Sequence, residues 1–261
     1  VGVVPSRRSV GAPIVGHMVT HADYPPAVCE DVVRIRRRIA RAGVPERRTD
    51  RNLLVATWNV RNFGRVQDTW EERPNVSPVR TLRALAYMAE VLRCFDLVAI
   101  QEVKRDTSGV RRLVDDFLGP DWGLLLSDVA GGEKGNSERL AYLYDRRRVT
   151  PSGLAGEIVL PPTEAGDPVE QFDRTPYVVG FRVGHEHVTL CTAHIRYGEN
   201  AAARRPEISR LAAHTARELR DRARGAGAEE SNLIVLGDFN IDRRHLDDPL
   251  FAAFVETGLT V

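Results

Sequence analysis

Five polar side chains in this sequence sit where short apolar runs end. Asn59 follows Leu53 to Trp58, Glu102 follows Leu97 to Gln101, and His194 follows Val188 to Ala193. Asp238 and Asn240 follow Leu233 to Leu236 within Gly237-Asp238-Phe239-Asn240. Residues at strand ends are well placed for function, because the strand fixes the backbone while the rim leaves the side chain accessible. An amide, a carboxylate, an imidazole and a carboxylate-amide pair gathered on one rim of a sheet sandwich would supply a cation ligand and acid-base groups together. Singly, each has a plainer reading. Glu102 reads as a helix-capping or solvated acid, His194 as a hydrogen-bonded structural imidazole, and Asp238-Phe239-Asn240 as an Asx-type turn. Their joint order and spacing favour the shared site.

The backbone that would carry these groups reads as short strands separated by helical patterns. Besides the runs above, Leu124 to Leu126, Leu140 to Tyr144 and Tyr177 to Val183 read as strands, several rich in Val, Ile and aromatic residues. Leu82, Leu85, Ala89 and Leu92 form one helical stripe. Ile208, Leu211, Thr215 and Leu219 form another behind Pro206, which suits the first turn of a helix. Val110 to Phe117 reads as a shorter helix. The alternation predicts an α/β domain with mixed sheets. Ahead of it, Val28, Val32, Ile35 and Ile39 make an apolar stripe on a helix whose other faces carry Arg34, Arg36, Arg37, Arg38 and Arg41. That helix reads first as an amphipathic element docked on the main domain and second as an arm for nucleic acid or phosphate. Residues 1–25, with three prolines, three glycines and no sustained period, read as a poorly ordered lead-in. The expected organisation is an extension over 1–51 and a catalytic-type domain over 52–261.

Composition narrows the classes. The 261 residues are 43% hydrophobic and 28% charged, a globular balance that excludes disorder and collagen. No run approaches the roughly 18 apolar residues of a spanning helix, and Arg7, Arg8 and His17 interrupt the first segment, so no signal h-region is evident. A cytoplasmic protein with no membrane span is expected. Cys29, Cys94 and Cys191 are too few and scattered for a disulfide framework or a zinc site. Residues 1–51 hold ten Arg against five acids, and the remainder carries a net −4. The main domain therefore lacks the broad basic field of a non-specific duplex binder. Only Lys104 and Lys134 among the 37 basic residues are lysine, a bias that fits a high-GC genome.

Six short pieces occur in order between Leu53 and Asp242: Thr57-Trp58-Asn59-Val60, Gln101-Glu102-Val103, Asn136-Ser137-Glu138-Arg139, Arg174-Thr175-Pro176, Thr192-Ala193-His194 and Gly237-Asp238-Phe239-Asn240. In this order they resemble the endonuclease/exonuclease/phosphatase superfamily. The resemblance implies a four-layer α/β/β/α sandwich of two mixed sheets, the second incomplete, with the site on one edge. It implies that Glu102 anchors Mg²⁺ or Mn²⁺, a hard cation that takes one or two protein oxygens plus waters and phosphate oxygens, and that Asn59 supports the metal or a phosphate oxygen. Asp238 would orient and deprotonate the attacking water, and Asn240 would donate to phosphoryl oxygens as charge develops. His194 resembles the phosphate-side histidine, Glu138 the carboxylate that orients it in the deoxyribonuclease branch, and Arg174 a guanidinium for phosphate contact. For Glu138 the alternative is an exposed loop acid; for Arg174 it is a surface salt bridge.

Other motifs carry less. Gly131 to Asn136 is glycine-rich but lacks a Gly-Lys-Ser/Thr ending, and Gly184-His185-Glu186-His187 sits in a turn between strands. Trp58, Trp70 and Trp122 read as packing residues, with Trp70 in a polar loop where it could be exposed. The superfamily's closing Ser-Asp-His motif has no counterpart in the 21 residues after Asn240, and His245 is too near Asn240 to replace it. The expectation is a C-terminally shortened copy, inactive or nearly so as a hydrolase in this length. For its parent the leading function is a metal-dependent phosphodiesterase acting on nucleic acid, DNA before RNA. A phosphatase or lipid phosphodiesterase of the same fold comes second, and a non-catalytic binding module third. Oligomeric state has no signature in the sequence.

Overall fold

The structure, a computed structural model, describes residues 18–131, 135–163, 165–198, 200–224, 232–241 and 247–257. Two four-stranded sheets form its centre. The first has the order β1-β2-β4-β3, from β1 (Val55–Phe63), β2 (Leu97–Lys104), β3 (Trp122–Leu126) and β4 (Glu138–Asp145). The second runs β5-β6-β7-β8, from β5 (Thr150–Glu157), β6 (Tyr177–Val183), β7 (Glu186–His194) and β8 (Leu233–Asp238). Both sheets are mixed. The β1/β2 and β7/β8 pairs are parallel and the other neighbours antiparallel.

Alternation along the strands produces the layers. Leu97 and Ala99 of β2 face Tyr142, Val179, Phe181 and Leu190 in the core between the sheets. Val98 and Ile100, one residue out of phase, pack outward under α1 (Pro26–Arg41) and α2 (Leu82–Leu92) through Val28, Val32, Leu85 and Leu92. On the far side Cys191 and Ala193 pack under α4 (Ala201–Arg224) and α5 (Pro249–Val255) through Ile208, Leu211 and Leu250. These residues build the expected α/β/β/α order. Among the described residues no helix is long and apolar enough to cross a membrane.

Several local expectations need correction. Of the expected lead-in, residues 1–17 lie outside the described residues, but 18–25 are packed: Val19 and Tyr24 are buried, Val19 N–H donates to Asp116 O at 2.7 Å, and Thr20 and Asp23 close a capping box. β5 was not expected, because its Pro151, Gly153 and Gly156 give no apolar period; it is an exposed edge strand held by backbone pairing to β6. The helix expected over Val110 to Phe117 is α3 (Ser108–Arg112) continued by a π-helical turn, Leu113–Leu118. Pro206 is not in the first turn of α4. The helix starts earlier, where Asn200 Oδ1 accepts from Ala203 N at 3.1 Å. Of the expected stripe, the side chain of Leu219 falls outside what is described, as does His245 altogether. Trp70 is half-buried against the first core, edge-on to Tyr24 and Phe117 at 5.3 and 6.2 Å.

Segment 43–52 is fastened beneath the first sheet. Arg47 Nε donates to Asp96 Oδ1 at 2.7 Å and its Nη2 to Asp145 Oδ2 at 2.6 Å, and both carboxylates are fully buried. Leu54 N–H and Arg148 add further donors to Asp96, while Arg147 adds them to Asp145. Burial would raise the Asp145 carboxyl, but its hydrogen bonds to Arg147 and Arg47 hold it well below the usual carboxylate range.

Candidate active site

Asn59 and Glu102 do not lie past their strands, as the sequence suggests, but inside β1 and β2 at irregularities. Pairing of β1 with β2 slips between Asn59 and Phe63, and pairing of β2 with β4 slips between Ile100 and Val103. Without a slip, Ile100 and Val103 would face opposite ways; both are buried in the core under α1 and α2. The extra residue is Glu102, at φ +64°, a left-handed conformation costing ~1–3 kcal/mol for a side chain with a Cβ. The bulge turns its carboxylate to the rim. Arg61 and Asn62, both at φ +51°, do the same service in β1. Asn62 N–H then donates to Glu102 Oε2 at 2.8 Å.

The amide of Asn59 joins the two sheets at this rim. Its Nδ2 donates to Glu102 Oε1 and to Asp238 Oδ2, each at 2.8 Å, while its Oδ1 accepts from Arg61 N at 2.9 Å. The amide oxygen is thus turned away from the carboxylates, and in this arrangement Asn59 braces them rather than offering itself as a ligand. Just beneath, Gln101 Nε2 donates to Thr57 Oγ1 at 3.0 Å and to Thr192 Oγ1 at 2.9 Å. Gln101 and Thr192 are fully buried, so this bond ties β2 to β7 where the site needs a fixed spacing.

Glu138 begins β4 and is buried, not an exposed loop acid. Its Oε2 accepts from Arg174 Nε at 2.6 Å and from His194 Nδ1 at 3.0 Å. Its Oε1 accepts from Asn136 Nδ2 at 2.6 Å and Lys104 Nζ at 3.2 Å. Burial alone would raise this carboxyl; the hydrogen bond from His194 and the charges of Arg174, His194 and Lys104 outweigh it and bring it down to about 2. An ionised Glu138 can only accept, so Nδ1 of His194 carries the proton and Nε2 is left toward Asp238, 4.0 Å from its Oδ2. Arg174 is not a surface salt bridge, since its side chain is 13% exposed and its partner 2%.

Asp238 ends β8 opposite His194, the last residue of β7. Gly237 before it sits at φ +151°, and a Cβ there would lie 2.0 Å from Ala193 O, so only glycine permits this close approach. Asp238 Oδ1 accepts from Asn240 N at 3.0 Å, the Asx turn of the plainer reading. The Asn240 side chain donates to Ile195 O at 2.7 Å, so one of its two amide hydrogens is committed to the scaffold.

Every residue expected for the site is therefore on one rim. The sequence assigned no role to Thr57, Gln101 and Thr192, which lock the sheets, or to Asn136 and Lys104, which complete the donors around Glu138. The signal for Thr192 was its place two residues before His194, on the same strand face. Lys104, two residues after Glu102, stood out only as one of two lysines. Among the described residues no three His, Cys, Asp or Glu side chains gather in metal-holding geometry. Glu102 and Asp238 nonetheless share one amide donor group, and among the described residues neither pairs with a Lys or Arg, so they offer an acidic oxygen pair suited to a hard cation that keeps most of its waters.

The comparisons agree with this architecture. A curated deoxyribonuclease from Thioalkalivibrio sp. (strain K90mix) is 29% identical over 200 residues, which is 74% of this chain and 48% of the relative. The chain thus spans about half the length of that protein. A solved endonuclease/exonuclease/phosphatase family protein from Bacteroides thetaiotaomicron superposes with a TM-score of 0.53 at 18% identity, over 79% of this chain and 67% of the other. A mannosyl-6-phosphatase from Bacteroides thetaiotaomicron gives 0.50 at 18% identity, over 79% and 71%. These two likenesses concern the fold. The family model covers residues 56–255, from the strand that carries Asn59 through the helix after Asp238, and this chain belongs to the Endonuclease/Exonuclease/phosphatase family.

Proposed function

We propose that the protein is a metal-dependent phosphodiester hydrolase acting on nucleic acid, DNA in the first instance. The observation that carries the reading is the paired arrangement at the rim. Glu102 and Asp238 share the Asn59 amide, while His194, fixed by an ionised Glu138, presents Nε2 to Asp238. The curated relative named a deoxyribonuclease supports nucleic acid over other phosphodiesters.

Glu102 would hold Mg²⁺ or Mn²⁺, braced by Asn59 and the Asn62 N–H, and the bound cation would supply Lewis-acid stabilisation of charge on the phosphoryl oxygens. Asp238 Oδ2 orients a water for attack on phosphorus and takes its proton. His194 donates from Nε2 to a non-bridging oxygen or to the leaving oxygen when its ring carries a proton on both nitrogens, and the ionised Glu138 on Nδ1–H orients and stabilises that imidazolium. The second amide hydrogen of Asn240 would meet the developing phosphoryl charge, and Arg174, tied to Glu138 through Nε, would offer its remaining donors to phosphate oxygens.

The test combines calorimetry with hydrolysis. Mg²⁺ and Mn²⁺ are titrated into the 261-residue chain and its Glu102→Gln variant. Plasmid nicking is then measured for this chain and for the product of the whole reading frame that contains it. Ion binding lost in Glu102→Gln, with metal-dependent nicking reduced at least 100-fold in Glu102→Gln and Asp238→Asn, is the expected result, on the order of one lost transition-state contact. Release of phosphate from inositol phosphates or lipids without nicking would move the substrate to the phosphatase class. Absence of ion binding would leave a binding module.

A further inference from the structure

Tyr197 stands three residues beyond His194, at most ~10 Å of chain from the imidazole, in the segment that leaves β7 for α4. Its side chain is 73% exposed, and it is the one aromatic among the exposed large hydrophobic residues described. Scattered exposed apolar residues are ordinary. This one is held. The Arg204 guanidinium from α4 lies over the ring, 5.8 Å from its centroid. Arg204 is itself buried and donates through Nη1 to Asn240 O at 2.6 Å, while the Asn240 amide donates to Ile195 O. The turn after the ring is equally constrained. Gly198 has φ +61°, a Cβ on it would approach Ala203 Cβ to 3.1 Å, and Asn200 caps Ala203.

Tyr197, Arg204, Asn240 and Ile195 thus form a continuous path that fixes an aromatic ring at the edge of the hydrolytic rim. A buried cation lies over one face of the ring, and most of the side chain is open to solvent. A flat π-system is the ligand that such a face accepts, since stacking needs no hydrogen-bond code and is strengthened by the guanidinium behind the ring. We propose that Tyr197 is a stacking platform for the nucleobase next to the scissile phosphodiester, and that the preferred substrate presents this base unpaired. The proposal rests on the nucleic-acid reading above and adds to it a specificity-determining residue and a strand requirement. A base within a duplex is already stacked on both faces and must be unstacked before it meets the ring.

Fluorescence anisotropy without added divalent ion tests it with the full chain. The probes are a labelled single-stranded oligodeoxynucleotide, the same strand with every base replaced by an abasic tetrahydrofuran residue, and the oligodeoxynucleotide annealed to its complement. Wild type is expected to bind the base-bearing single strand about tenfold more tightly than the abasic strand or the duplex. Tyr197→Ala should lose about tenfold on the base-bearing strand alone, and Tyr197→Phe and Tyr197→Trp should keep wild-type affinity. Unfolding curves of Tyr197→Ala that overlay wild type confirm an intact fold. Equal loss on base-bearing and abasic strands, or no loss on either, overturns the stacking role while leaving the phosphodiesterase reading in place. Duplex bound as tightly as single strand overturns the strand requirement. Failure of wild type to bind any of the three probes removes the nucleic-acid reading and this proposal with it.

Discussion

Replacing Arg47 with alanine should destabilise the whole domain although Arg47 lies in the segment before the first strand. Its guanidinium is 22% exposed, bonds two carboxylates that are 0–1% exposed, and also donates to Arg93 O at 3.2 Å. Breaking a buried ion pair by removing one partner costs ~3–5 kcal/mol, because a charge is left uncompensated. Here the loss is smaller for each acid. Asp96 keeps Leu54 N–H at 2.8 Å and Arg148 at 3.3 Å, and Asp145 keeps Arg147 at 2.6 and 2.9 Å. A net loss of about 3 kcal/mol is therefore expected, a fall in Tm of about 6–12 °C for a domain of this size. Thermal unfolding followed by circular dichroism reads it. Arg47→Met, which keeps most of the apolar stem and loses the charge, should resemble Arg47→Ala if electrostatics dominate. The acid limb supplies an independent readout. The depressed Asp145 carboxyl contributes stability above its unfolded value near ~3.9, and this is lost as pH falls through its folded value; with one of its two arginine partners gone, acid unfolding should begin at higher pH. Because Asp96 lies ~20 Å down β2 from Glu102, ion binding at the rim should be unchanged below the melting range. A Tm within 1 °C of wild type, by the same ~2–4 °C per kcal/mol scale, would mean that residues 43–52 rest on the domain without supporting it.

Two other outcomes follow from the rim itself. Gly237→Ala should cost about 2 kcal/mol or more in urea unfolding and abolish ion-dependent hydrolysis, because its Cβ would meet Ala193 O at 2.0 Å beside the His194/Asp238 register; wild-type values for both would contradict the close approach. Glu138, brought down to about 2, contributes stability that is present above ~4.5 and lost as pH falls through about 2, at most about 3 kcal/mol. Glu138→Gln should flatten that part of the stability profile between pH ~2 and ~5 and free the imidazole of His194, and an unchanged profile would count against the buried cluster.

The motifs were legible as residue types and order because each is a local requirement. Glycine before Asp238 answers a close backbone approach, and alternating Val98 and Ile100 against Leu97 and Ala99 answers a sheet covered on both faces. The stripe through Leu82, Leu85, Ala89 and Leu92 likewise predicted α2, whose buried face it is. What the one-dimensional pattern could not carry were features set by partners far along the chain. The bulge at Glu102 depends on two neighbouring strands at once, and nothing in Gln101-Glu102-Val103 announces it. β5 has no apolar face, so its place comes only from the backbone donors of β6. Glu138 reads locally as an acid before a strand; it is a buried anion because Lys104 of β2, Arg174 of the β5–β6 connection and His194 of β7 all arrive beside it. The order of residues fixes which chemical groups and which apolar periods are available. Tertiary structure decided which groups meet, because hydrogen bonds and charge compensation act over a few ångströms of space and are indifferent to the 34 to 179 residues of chain that separate these partners.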